Sequence, residues 1–115
     1  MRYRVKTGFA AWLLMRASGL ALTVYLILHV WVLSHLARGP EAFDALIASL
    51  TGPLVSALEL MLAAALLFHT ANGLRLILVD FAEGSLYHRP LFWLTSAATA
   101  GGVAAILWRL WPGAL

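Results

Sequence analysis

Three long apolar runs, parted by two polar breaks, set the pattern of this chain. They cover about residues 10–36, 54–81 and 90–111. Each exceeds the roughly 20 residues an α-helix needs to cross a hydrocarbon core of about 30 Å. The pattern predicts an all-α membrane protein with three transmembrane helices. In the first break, Gly39-Pro40 and Gly52-Pro53 interrupt any helix. Between them EAFDALIASL spaces Phe43, Leu46, Ile47 and Leu50 three and four apart. That spacing predicts a short amphipathic helix lying at the membrane interface. The second break is AEGSLYHRP, and Pro90 is expected to open the third helix, where its missing N–H is no loss. The third helix is expected to end near Trp111, before Pro112-Gly113. No internal repeat or low-complexity segment interrupts the series.

Composition narrows the function. Of 115 residues, 63% are hydrophobic and 11% charged, too apolar for a soluble domain of this length. Residues 1–115 read as a single transmembrane domain, with no room for a soluble catalytic domain. Without cysteine there is no disulfide frame, thiolate nucleophile or cluster ligand. Any electron chemistry must therefore use a bound cofactor. The net charge of +3 is spread without a continuous basic patch, so no nucleic-acid partner is expected. The basic start before an apolar run has a signal peptide as its rival reading. The first run is too long for a signal core and contains Arg16 and His29, so a retained helix is expected.

Charge also sets an orientation. Arg2, Arg4, Lys6, Arg16, Arg75 and Arg89 fall on one side, leaving Arg38 and Arg109 on the other. The positive-inside rule then puts the N-terminus and the 82–90 loop in the cytoplasm and the C-terminus outside. The expected location is the inner (cytoplasmic) membrane, as a multi-pass protein. Trp12 and Trp93 suit the inner interface; Trp31, Trp108 and Trp111 suit the outer one.

Within the spans, a few polar residues carry the candidate chemistry. His69 sits near the middle of AAALLFHTANGLRLILVDF, with Gly73 one turn on and Arg75 and Asp80 closing the span. An imidazole beside a missing side chain suits the approach of a flat macrocycle; a His bonded to a neighbouring helix is the plain alternative. Arg16 lies near the inner end of the first helix, where it needs an anion or polar head unless it snorkels to the headgroups. Haem propionate and quinone carbonyl are both candidates. Ser18 and Gly19 equally suit close helix packing. His29 lies farther out. With Trp12 and Asp80 taken as one level, His29 and His69 differ in depth by about 9 Å at about 1.5 Å per residue. Two half-sites, each completed by another chain, are expected rather than one shared iron. Glu59 is expected to be buried, pairing with a cation, bonding His29 or capping its helix. His35 reads as interfacial and His88 as a residue of the cytoplasmic loop.

HTANGLRLILVDF resembles the H-x-x-x-G-[IL]-R-x-x-x-x-D signature of the cytochrome b membrane anchor of succinate dehydrogenase. MRASG resembles that family's H-R-x-[ST]-G segment, and YHRPLFW is also similar. The resemblance covers about Trp12 to Trp93. It implies that His69 ligates haem b, that His29 matches an extra His of two-haem members, and that Arg16 serves quinone and haem propionate. Haem contacts are thereby expected from His69, His29, Arg16, Ser18, Gly73 and Arg75, with His69 and His29 on iron. Quinone contacts are expected from Arg16, Ser18, Trp12 and Asp80. Met15 stands where many members have His, and Trp12 where some have a quinone-site Ser. The implied assembly is succinate:quinone oxidoreductase, respiratory complex II. There the chain joins a heteromeric helical bundle with a sister anchor subunit, sharing two haems and binding quinone as substrate. An iron–sulfur subunit and a flavoprotein complete it. This chain shows no flavin motif, and the resemblance implies a non-catalytic anchor. A quinol:fumarate reductase anchor and a haem-free three-helix scaffold are the alternatives.

Overall fold

The computed structural model describes residues 7–81 and 88–110. These are helical almost throughout: α1 Thr7–Ser34, a 3-10 turn His35–Arg38, α2 Pro40–Ser49, α3 Pro53–Phe81 and α4 His88–Leu110. Three stretches, Gly8–Arg38, Pro53–Phe81 and Arg89–Leu110, are long and apolar enough to cross a membrane. The three-span, all-helical architecture expected from the sequence is therefore present, with α2 as the short connecting helix.

The breaks fall where glycine is needed. Gly39 takes φ 107° and Gly52 φ 116°, a region that residues with a side chain rarely enter. Each precedes a proline that opens the next helix, Pro40 for α2 and Pro53 for α3. Two boundaries differ from expectation. The first helix begins at Thr7 and tightens into the 3-10 turn after Ser34, so its α-helical part sits a few residues early. His88 opens α4 instead of lying in the loop, because a proline two residues later is still in the first turn, where a backbone N–H would have no intrahelical acceptor and its absence is no loss. Arg2, Arg4, Lys6, the rest of the 82–90 loop and Trp111 lie outside the described residues.

The packing is inverted relative to a soluble domain. Among the described residues, the buried hydrophobic side chains are only Ala11 and Phe92, whereas Ser18, Asn72, Arg75 and Thr95 are buried polar ones. Leu20, Leu26, Ile27, Phe81 and Trp108 are among many large apolar side chains left exposed. In water this surface would aggregate. In lipid it is the expected arrangement, since small and polar residues mediate helix contact where tails are as apolar as Leu. α3 packs against both α1 and α4. At the α3–α4 contact, a Cβ on Gly102 would lie 2.7 Å from Leu67 Cδ1, so a larger residue there would require the Leu67 side chain to shift. Hydroxyls are satisfied within their own helices: Thr23 donates to the Gly19 carbonyl, Thr95 to Leu91 and Thr99 to Thr95.

Candidate haem and quinone site

The α1–α3 contact carries the polar residues, in two adjoining parts. The first is a clamp on His69. Its Nδ1 lies 3.0 Å from Ser18 Oγ, across the helix pair. Ser18 Oγ also donates to the Met15 carbonyl at 3.0 Å, the familiar back-bond of a helical serine. Gly19 presents bare backbone to the ring: a Cβ there would meet His69 Cε1 at 3.2 Å and Nδ1 at 3.7 Å. Bonding to a neighbouring helix is thus present, through one ring nitrogen. Nε2 makes no hydrogen bond to a described residue.

The second part is a groove of about 510 Å³ lined by Gly8, Ala11, Trp12, Met15, Arg16, Asn72, Arg75 and Leu76. α1 supplies Trp12 and Arg16, with the Arg16 guanidinium carbon 4.4 Å from the Trp12 ring centre. α3 supplies Asn72, about one turn beyond His69, and Arg75, nearly two turns beyond it. Arg75 Nε donates to Asn72 Oδ1 at 2.8 Å, and its guanidinium carbon lies 5.9 Å from the Phe92 ring of α4. Asn72 is 1% exposed, and its Nδ2 has no hydrogen-bond partner among the described residues. A buried amide donor left unpaired costs on the order of 1–3 kcal/mol, so it marks a place where an acceptor belongs. Met15 joins the two parts. Its carbonyl holds Ser18, and its Cε would touch a Cβ on Gly73 at 3.4 Å.

Several expected residues come together and others do not. Arg16 and Arg75, far apart in sequence, share one groove with Trp12. Ser18 does not line it; its hydroxyl faces His69 instead of the groove. The space over Gly73 is taken by the Met15 methyl, so that glycine admits α1. Asp80 is exposed near the end of α3 and does not line the groove. Glu59 is exposed rather than buried, since α3 turns about 80° between positions 59 and 69 at about 100° per residue. His29 is exposed on α1, its Nδ1 3.1 Å from Tyr25 Oη. His35 donates Nδ1–H to the Trp31 carbonyl at 3.0 Å. The Ser18–His69 bond also corrects the depth of His29. It fixes Ser18 level with His69, and the step from Ser18 to His29 is about 16 Å at about 1.5 Å per residue, not about 9 Å.

Asn72 was not singled out from the sequence. An amide inside a lipid-length run, between His69 and Arg75, was the signal that would have found it.

These donors fit a haem. A neutral imidazole whose Nδ1 is engaged keeps Nε2 for iron, the usual state of a metal-bound His. The guanidiniums of Arg16 and Arg75 in the adjoining groove suit carboxylates. No group of three or more His, Asp or Glu side chains gathers into a metal site among the described residues.

Comparison with known proteins identifies relatives of the chain as a whole. Residues 1–106 match the family described as succinate dehydrogenase/fumarate reductase transmembrane subunit. A relative from Mycobacterium tuberculosis, succinate dehydrogenase 2 membrane subunit SdhC, is 38% identical over 93 residues, covering 80% of this chain and 68% of the relative. A second, the succinate dehydrogenase hydrophobic membrane anchor subunit of Halobacterium salinarum, is 35% identical over 78 residues, covering 67% of this chain and 60% of the relative.

Proposed function

The chain belongs to the succinate dehydrogenase/fumarate reductase transmembrane subunit family, and from that premise we propose that it is the cytochrome b anchor of a succinate:quinone oxidoreductase. The observation that carries this reading is His69, held by Ser18 through Nδ1 in the middle of a membrane-length helix, with Nε2 bonded to none of the described residues. His69 would hold the iron of one haem b, with a further ligand from a sister anchor. Bound haem supplies one-electron storage between the iron–sulfur subunit and quinone. Arg16 and Arg75 receive carboxylate or carbonyl oxygens in the groove, Trp12 bounds it, and Asn72 offers an N–H donor that otherwise has no acceptor. The exposed apolar surface of α1 and α4 faces lipid and the sister chain.

His29 binds a second haem nearer the opposite face. Its depth of about 16 Å beyond His69 excludes a shared iron, and its exposed face leaves room for a partner. The purified complex is expected to contain two haems b per copy of this chain, measured by pyridine haemochromogen against protein. A haem-free complex would overturn the cytochrome reading; one haem would leave His29 as a packing residue bonded to Tyr25.

The N-terminus faces the cytoplasm, from the distribution of basic residues. An impermeant maleimide added to intact cells should label Gly113→Cys and spare His88→Cys. The reverse pattern would invert the topology and move the groove to the opposite side of the membrane.

A further inference from the structure

We propose that Ser18 is a positioning residue for His69. It fixes the imidazole as the Nδ1–H tautomer and thereby reserves the Nε2 lone pair for iron. This inference rests on the haem reading above.

The argument is a count of hydrogens. A serine hydroxyl has one hydrogen and two lone pairs. Ser18 Oγ lies 3.0 Å from the Met15 carbonyl oxygen and 3.0 Å from His69 Nδ1. A carbonyl oxygen can only accept, so the contact to Met15 uses the hydroxyl hydrogen. The contact to Nδ1 then requires a hydrogen from the ring. Turning the hydroxyl toward Nδ1 instead would put the ring hydrogen on Nε2, where no described residue accepts it. That arrangement gives up the Met15 bond and leaves a polar N–H unpaired, so it is the poorer one. Ser18 is 7% exposed, which keeps competing water from the hydroxyl.

Gly19 completes the device. Its missing side chain lets the α1 backbone lie against the Cε1 edge of the ring, where a Cβ would stand at 3.2 Å. Adjacent residues of one helix thus hold the Nδ1–Cε1 edge of a ligand on another. His29 lacks this arrangement. Its Nδ1 partner is Tyr25 Oη on its own helix, and no second acceptor among the described residues commits the Tyr25 hydrogen.

An axial imidazole that donates Nδ1–H is a stronger base toward its metal than one that does not. Stronger donation stabilises ferric over ferrous haem and holds the midpoint potential down. Removing the acceptor should therefore raise it. A residue that only ties α1 to α3 would not move the potential of a haem that stays bound.

The test is redox titration and low-spin ferric EPR of the whole complex, with haem content measured first. The inner haem is identified as the one that His69→Ala removes. Ser18→Ala should shift that haem to a more positive midpoint and move its g values, leaving the other haem unchanged. Ser18→Thr keeps an acceptor oxygen and should restore wild-type values. Ser18→Cys, of similar size but a weaker acceptor, should lie between them, and it decides the matter if the alanine variant does not assemble. A wild-type midpoint and g values in haem-loaded Ser18→Ala or Ser18→Cys complexes would overturn the positioning role while leaving the haem reading intact. Absence of haem from the wild-type complex would overturn the haem reading itself.

Discussion

Replacing His69 by Ala is expected to remove one b-type haem from the complex and to leave the other in place. The expectation follows from what surrounds the ring. His69 is the imidazole that α1 grips through Ser18 and Gly19, and no cluster of His, Asp or Glu among the described residues stands ready to replace it. The effect on the fold should be smaller than the effect on the haem. Ser18 keeps its bond to the Met15 carbonyl, so no hydroxyl is stranded, and the lost interhelix hydrogen bond is worth roughly 0.5–1.5 kcal/mol. The imidazole leaves a cavity beside Gly19, which adds to that loss. Haem quantified per complex should fall from two to one, with loss of one component of the reduced α-band. Unchanged haem content and spectrum in His69→Ala would show that the iron is held elsewhere.

Some of this was legible from one sequence and some was not, for physical reasons. The spans announce themselves because lipid demands length and apolarity, and both are properties of a single segment. The turns at Gly39 and Gly52 announce themselves because each glycine is followed by proline. His69, Arg16 and Arg75 stand out because ionisable groups inside an apolar run need partners. Their partners are another matter. That Ser18 serves His69, and that Arg16 and Arg75 share a groove, depends on the relative rotation and height of α1 and α3. No periodicity within either helix encodes that register, since both are apolar on nearly every face. The misreading of Glu59 has the same origin: depth along a helix can be counted, but the buried side is set by the neighbour. Asn72 escaped because it is neutral, although its unpaired amide is as strong a mark of a ligand or partner as a charge would be.

Arg16→Leu is the change expected to separate quinone chemistry from the rest of the complex. Arg16 is exposed on the groove, stacked on Trp12 and turned toward the space it shares with Asn72 and Arg75. Arg75 is unsuited to the same test, because it is 7% exposed and bonded to Asn72, so its removal would disturb the helix contact itself. Leucine keeps the helix and is at home in lipid, so Arg16→Leu should assemble. A charge-assisted hydrogen bond is worth about 1.5–3 kcal/mol, and each 1.4 kcal/mol is about tenfold. Quinone reduction should therefore fall about ten- to hundredfold, while succinate oxidation with an artificial acceptor, which takes electrons before they reach this chain, stays within about twofold. Arg16→Lys should fall between, because an ammonium keeps the charge but not the planar fork that grips an oxygen pair. Equal loss of both activities in a fully assembled, haem-loaded Arg16→Leu complex would remove Arg16 from the quinone site. The groove would then be a propionate cradle, and the same variant should shift the haem midpoint instead.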